Sequence, residues 1–458
     1  MNRNALIYLQ KWLTGSNRKP LVMRGARQVG KTWLVRRLAK ECGKELIELN
    51  FEENPSHKNF FATNDTQKIL QNIESYLQRS IDPTKCLLFL DEIQAYPELL
   101  AKLRWFYEKM PELAVITAGS LLEFVLDDHT FSMPVGRITY LHLEPFSFEE
   151  FLLAQGKEKS VEYLQNYNLK DEIILPIHEQ LLSYFKEYIF VGGMPAAVAN
   201  WSEHKSLENV HLIHQDLLTT YRDDFAKYAK RIPIARLEEV LTAVPKLLGQ
   251  KFVYRQVNQD VQSIAVKNAL ELLCKARVCN RIVASYANGI PLGAEINEKN
   301  SKIILLDVGL ACSDLGVPLH QLNQIDDINI INNGAISEQV AGQLLRTLSP
   351  LYVEPHLYYW TRAEGSASSE IDYLLQHQTE IIPVEIKSGK TGSLKSLHYF
   401  MAEKKLSRAI RINSDFPSLT NIDIKTNTGK PVEYQLISIP FYLTGQIHRL
   451  LDSDSFGS

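Results

Sequence analysis

Gly25-Ala26-Arg27-Gln28-Val29-Gly30-Lys31-Thr32 lies between the apolar run PLVMR (20–24) and a segment with helical spacing, and it matches G-x-x-x-x-G-K-[ST] in full. The chemistry explains the pattern. Glycines let the backbone curl so that successive N–H groups point at phosphate oxygens, and the positive end of the following helix adds to the same field. In that arrangement Lys31 reaches the terminal phosphates of a bound triphosphate and the Thr32 hydroxyl ligates Mg²⁺. Residues Gly25, Ala26, Arg27, Gln28, Val29, Gly30, Lys31 and Thr32 are therefore the expected phosphate cradle.

Downstream, the apolar run Leu87-Leu88-Phe89-Leu90 ends in Asp91-Glu92. A buried parallel strand ending in two carboxylates at the sheet's C-terminal edge fits such a site. Asp91 is the expected holder of the Mg²⁺ shell and Glu92 the group that orients and deprotonates water. Around these motifs, the short runs PLVMR, ELIELNF, KCLLFLDEI, LAVITAGS and RITYLHLEPF alternate with helix-length segments. That alternation predicts an α/β domain with a parallel sheet over 1–150.

The rest of the chain changes character. A stretch at 151–230 is apolar at helical spacing and includes Gly192-Gly193-Met194-Pro195, which predicts a helical region. Residues 231–295 predict three helices and a short strand, the outline of a winged helix. Strands return at 296–452 as KIILLDVG, LYYWTR, SEIDYLLQ and IIPVEIK, with the helix ISEQVAGQLLRTL before the last three, and so a second α/β or α+β domain. The polar tail from 452 onward is expected to be mobile.

Bulk properties bound the partners. The 458 residues are 45% hydrophobic and 22% charged, with a net charge of −3. Such a chain builds about two to four domains and does not coat nucleic acid over its whole surface. Its five cysteines, Cys42, Cys86, Cys274, Cys279 and Cys312, have neither disulfide nor zinc spacing. The N-terminus MNRNALIYLQKWL is too short and polar for a signal peptide, and no apolar run reaches the ~18 residues of a membrane span. A cytoplasmic location without membrane contact is expected.

The ordered blocks LVMRGARQVGKTWLVRRL, LLFLDEIQ, ITAGS, VGRITYLHLEPFSFEEF, FVGGMPAAV, KIILLDVGLA and YYWTRAEGSASSEIDYLL with PVEIKSG resemble the bacterial and archaeal AAA-type ATPases. In that group a C-terminal domain of unknown function is similar to PD-(D/E)xK nucleases. The resemblance implies a P-loop ATPase domain using ATP and Mg²⁺, a helical and winged-helix middle, a restriction-endonuclease-like end, and possible homo-oligomers. ELIELNF resembles the extra strand of the additional-strand P-loop class. Ser120, ending LAVITAGS, stands where that class senses the γ-phosphate, and Arg137 is a candidate arginine finger; a helix cap and a solvated charge are the plainer alternatives.

Period-two geometry puts Glu370 and Asp372 on one strand face, opposite Ile371 and Tyr373, and pairs Glu385 with Lys387. Should the two runs be neighbours, Asp372 and Glu385 would ligate a metal, Lys387 would position water or neutralise phosphorane charge, and Glu338 would add a further acid. A solvent-facing charged ladder is the alternative. Between 251 and 283, Lys251, Arg255, Lys267, Lys275, Arg277 and Arg281 outnumber Asp260 and Glu271, a local excess of +4. DNA is the expected partner of that stretch, Arg255 and Lys267 foremost, with a solvated face or protein contact as the other explanation. Two functions follow: an ATPase coupled to a DNA-binding or DNA-cleaving domain, or a nucleotide-dependent regulator that binds DNA or a protein without cutting.

Overall fold

The structure, a computed structural model, describes residues 3–120, 122, 133–228, 232–317, 334–362, 369–387, 394–427 and 429–454. Of the blocks quoted above, residues 363–368 and 388–389 lie outside these, as does the end of the polar tail. The chain divides into two compact units. The first comprises Met1–Glu144 with Lys275–Arg277 and Ser349–Pro355, and the second comprises the remainder.

In the first unit, helix α1 (Asn4–Thr14) precedes strand β1 (Leu21–Arg24), and α2 (Lys31–Glu41) follows it. Then come β2 (Glu45–Asn50), α3 (Thr66–Leu77), β3 (Cys86–Asp91), α4 (Leu99–Lys109), β4 (Ala114–Ala118) and β5 (Thr139–His142). The five strands form one sheet in the order β2-β3-β4-β1-β5, every pair parallel. All residues of β3 and β4 are buried, which is why both read as continuous apolar runs without alternation. Ile47, Leu88, Leu90, Leu103 and Phe106 belong to the core cluster on one side of the sheet.

One expectation changes here. The strand standing between the β1 and β3 strands is β4, whereas β2, the run ELIELNF, takes the sheet edge. Proximity in sequence to both motifs misassigned it; β4 fits the centre because all five of its residues are buried.

The second unit opens with helices α5 (Phe148–Ala154), α6 (Glu158–Asn166), α7 (Leu175–Val191), α8 (Pro195–His204) and α9 (Leu207–Asp223). Ser147 starts α5 with a reciprocal capping box, its hydroxyl accepting the Glu150 N–H while Glu150 accepts the Ser147 N–H. Next are α10 (Ile234–Ala243), the one-turn α11 (Tyr254–Val257), α12 (Ser263–Lys275) and the antiparallel strands β6 (Cys279–Ser285) and β7 (Ile296–Leu305). Thereafter run α13 (Val308–Asp314), α14 (Ala335–Arg346), β8 (Leu357–Thr361), β9 (Glu370–His377), β10 (Glu380–Ile386), α15 (Lys395–Lys404), β11 (Arg408–Asn413), β12 (Ser418–Lys425), β13 (Pro431–Pro440) and α16 (Ile447–Asp454).

Its eight strands form a single mixed sheet, β12-β13-β11-β10-β9-β8-β6-β7. The helices of the winged-helix outline are present, but its strand is no free wing: β6 pairs parallel with β8 and antiparallel with β7, so the sheet runs straight through the boundary expected at 295/296. Apolar residues decide this, since Ile282, Ala284 and Ile303 are buried and need covering on both faces. On one face of the sheet, Trp360, Ile371, Leu374 and Leu436 pack with Leu397, Phe400 and Met401 of α15.

A polar network ties the irregular segments of this unit together. Asp307 caps α13 through the N–H groups of Gly309 and Leu310, and its other oxygen accepts the Gly193 N–H at 2.6 Å and the Gln343 amide at 2.9 Å. Burial pushes the Asp307 carboxyl up to about 6, against the pull of these donors. Gly192 has φ +71°, and a Cβ there would meet Asp307 Oδ1 at 2.0 Å. The blocks FVGGMPAAV and KIILLDVGLA thus owe their pattern to one buried carboxylate and the glycines that admit it.

Candidate functional site

The loop after β1 curls through residues with positive φ: Gly25 at +153°, Gln28 at +63° and Gly30 at +94°. Glycine at 25 is required twice over, because a Cβ there would come within 2.5 Å of the Leu143 carbonyl oxygen. The turn delivers Lys31 to the first position of α2, where it is buried and its Nζ donates to the carbonyls of Gly25 (3.0 Å) and Ala26 (2.8 Å). The ammonium therefore sits over the curl of the loop.

At the next residue, Thr32 Oγ1 donates to Asp91 Oδ2 at 2.9 Å. Asp91 ends β3, and parallel pairing of β1, β4 and β3 brings the phosphate loop and this carboxylate to the same edge of the sheet. Burial pushes the Asp91 carboxyl up to about 6; the Thr32 hydroxyl works the other way and the Glu92 charge reinforces burial. A buried carboxylate with a hydroxyl at its side is a pair of hard oxygen donors, and the residues fit Mg²⁺. Glu92, in left-handed backbone at φ +53°, is held by Gln94, whose amide donates to it at 2.5 Å and to Glu52 at 3.1 Å. Sequence reasoning passed over Gln94, although it directly follows the acidic pair in the quoted block LLFLDEIQ.

Ser120 lies just past the end of β4 and is buried. Arg137 takes a different place: it is exposed, donates to Glu108 of α4 at 2.8 Å and lies over the Tyr107 ring. That ion pair, rather than the phosphate loop, is its partner within the unit.

In the second unit, β9 and β10 are antiparallel neighbours with Tyr373 opposite Val384. Ile371 and Tyr373 are both buried, but not on one face: Ile371 packs in the cluster with α15, whereas the Tyr373 hydroxyl donates to the Glu338 carbonyl of α14, and the pairing of β8 with β9 shifts register here. Glu338, Asp372, Glu385 and Lys387 do come together, but with a participant that sequence reasoning missed, Lys302 of β7. The Lys302 ammonium, 2% exposed, meets Glu338 at 2.9 Å, Glu370 at 2.5 Å and Asp372 at 3.7 Å. Burial opposes its charge, yet Glu338, Asp372 and Glu370 outweigh burial and raise its pKa. Asp372 Oδ2 accepts the Ile386 N–H at 2.8 Å, and Glu385 Oε1 pairs with Lys387 at 2.7 Å. Burial first, and then the Asp372 charge, push the carboxyls of Glu338 and Glu385 upward.

This corrects two expectations. The strands do not present a solvent-facing ladder, because Glu385 is buried. Nor do Glu338, Asp372 and Glu385 form an open metal site: among the described residues no three His, Cys, Asp or Glu side chains are grouped to hold an ion. The donors are hard oxygens, and the position among Glu338, Glu370 and Asp372 is taken by the Lys302 ammonium.

The basic stretch is also less of a surface than its composition suggests. Arg277, in the first unit, is buried, bonded to Glu354 at 2.9 Å and 3.4 Å from His142. Burial, then the Arg277 charge, lower the His142 pKa to about 4. Arg281 donates to the Glu298 carbonyl, and Lys267 pairs with Glu271 one helical turn away. Lys251 and Arg255 remain exposed.

Residues 17–152 match the family model described as AAA domain. Residues 182–321 and 333–427 match two domains of unknown function, DUF8612 and DUF4143. The first unit is thus an AAA-type P-loop NTPase domain, with the phosphate loop, acidic strand end and parallel sheet in place. Among solved structures, the chain is similar to Aeropyrum pernix ORC1 in complex with DNA, at 13% identity over 69% of this chain and 92% of that one, with a TM-score of 0.27. The A. pernix ORC2 protein gives 12% identity over 73% and 91%, TM-score 0.32, and the Thermotoga maritima RuvB Holliday junction branch migration motor 15% over 65% and 93%, TM-score 0.29. Likeness at this level carries no inference about function. No curated protein matches the chain.

Proposed function

We propose that the chain is a Mg²⁺-dependent ATPase whose nucleotide cycle acts on a second unit that binds DNA without cutting it. The observation that carries the ATPase is the hydrogen bond between Thr32 and Asp91 beside a loop already crowned by Lys31. Thr32 and Asp91 would hold the Mg²⁺, which would supply neutralisation of phosphate charge. The remaining work belongs to the protein. Loop N–H groups from Gly25 to Thr32 orient the phosphates, Lys31 exchanges its two carbonyl partners for phosphate oxygens, and Glu92 takes the proton of the attacking water. Ser120 stands ready to sense the γ-phosphate. Arg137, paired with Glu108 within its own domain, would act only on a neighbouring copy's nucleotide.

For the second unit, exposed Lys251 and Arg255 with Lys267 favour DNA phosphates as the partner. Lys302 within the acid cluster favours binding over cleavage. The test is phosphate release from ATP with and without Mg²⁺, alongside anisotropy of a labelled duplex at two salt concentrations. Turnover that needs Mg²⁺, and duplex binding that weakens with salt and in the Lys251→Ala/Arg255→Ala variant, are expected. Metal-independent turnover counts against the first half, and unaltered duplex binding by that variant against the second.

A further inference from the structure

We propose that Lys302 is a built-in counter-ion of the C-terminal acid cluster, occupying with its ammonium group the role that a divalent cation would have among Glu338, Asp372 and Glu385. The inference does not depend on nucleotide hydrolysis by the first unit.

Three facts point the same way. First, Lys302 lies between Ser301 and Ile303 in a part of β7 that is buried throughout, with its ring neighbour Tyr359 5.6 Å away. An ammonium there is strongly unfavourable unless paired. Second, its partners come from separate elements, Glu338 from α14 and Glu370 and Asp372 from β9. A single cation thereby joins the helix to the sheet, as a metal does in a metal-held core. Third, the acids nearest the ammonium are already supplied with donors by the protein. Asp372 has Ile386 N–H on one oxygen and Lys302 near the other, and Glu385 Oε1 has Lys387. The ammonium stands where an ion would have to sit to touch Glu338, Glu370 and Asp372 together.

Charge counting gives the test. Glu338, Glu370, Asp372 and Glu385 face two ammonium groups, Lys302 and Lys387. Replacing Lys302 by methionine, similar in length and uncharged, leaves four carboxylates around one ammonium with no counter-charge between them. Carboxylates left in that state favour a divalent ion.

The experiment is calorimetric titration of Mn²⁺ into the nucleotide-free full chain, with an Asp372→Asn/Glu385→Gln variant titrated in parallel so that heat from this cluster is separable from heat at Asp91. Wild type and the double variant are expected to be indistinguishable. Lys302→Met is expected to gain one saturable site, lost again when Asp372→Asn/Glu385→Gln is added, while its ATP turnover stays at the wild-type rate. A wild-type site that disappears in the double variant overturns the proposal. So does Lys302→Met without a new site. Should Lys302→Met fail to fold, adding Glu338→Gln, which returns the cluster to its wild-type net charge, is expected to recover folding; no recovery likewise overturns it.

Discussion

Thr32 and Asp91 are joined by a 2.9 Å hydrogen bond although 59 residues separate them, one opening a helix and the other closing a strand. Parallel pairing across the five-stranded sheet puts both at the same edge. Replacing either oxygen should therefore damage the same step. Thr32→Val and Asp91→Asn are each expected to lower Mg²⁺-dependent ATP turnover on the order of 10²-fold or more. The double variant should lose little beyond the worse single one, because residues acting through one ion are not additive. Steady-state rates of the four proteins across a Mg²⁺ series check this, and losses that simply multiply would count against a shared ion.

Glu92 follows Asp91 in left-handed backbone and is steered by Gln94. The role proposed for it is in proton transfer rather than in holding nucleotide. Glu92→Gln should keep ATP affinity within a few-fold while turnover falls by roughly 10²–10⁴-fold, the usual range for a removed general base. Equilibrium binding and single-turnover rates, measured on the same preparation, separate the two effects.

The Gly192-Gly193 pair is a structural requirement of the second unit. A Cβ on Gly193 would come within 2.4 Å of the Phe146 carbonyl and 2.7 Å of its N–H, both backbone atoms that cannot move aside cheaply. Gly193→Ala should cost about 1–3 kcal/mol or more from overpacking, with loss of the 2.6 Å bond to Asp307 adding to it. Thermal unfolding should report a lowered midpoint. An unchanged midpoint would mean that the segment relaxes freely.

His214 of α9 is buried and bonded through Nε2 to the Val191 carbonyl. Burial lowers its pKa from 6.5 to about 4, against the pull of that carbonyl. The folded form then stays neutral while the unfolded form gains a proton below 6.5. Stability from this group is intact above pH 6.5 and is lost as pH falls towards 4, by roughly 3 kcal/mol at most. Midpoints recorded between pH 7 and pH 5 should drop, and His214→Gln should flatten part of the slope. An identical slope in the variant would remove His214 from the explanation.

Local chemistry explains what could be foreseen. The phosphate loop is legible because each of its residues acts within a few positions of its neighbours, and the acidic end of β3 because a fully buried strand must be apolar up to its last residue. Long-range pairing was not legible. Lys302 looks like an ordinary charge at the start of KIILLDVG, and only the sheet brings it to Glu338 and Glu370. Arg277 counted towards a basic surface, yet Glu354 and His142 draw it inside. Strands β11 and β13 went unseen although much of each is buried, since short apolar runs resemble core helix segments until neighbours fix them.

The most direct test of the ATPase reading is calorimetric titration of ATP with Mg²⁺ into the full chain, wild type against Lys31→Ala, each first shown to be folded by circular dichroism. Wild type should give one saturable site per chain, and the variant, lacking the ammonium that spans the loop, should bind at least about tenfold more weakly and release no phosphate. Folded wild-type protein that takes up no ATP, or a variant that binds and hydrolyses it as well as wild type, would contradict the account.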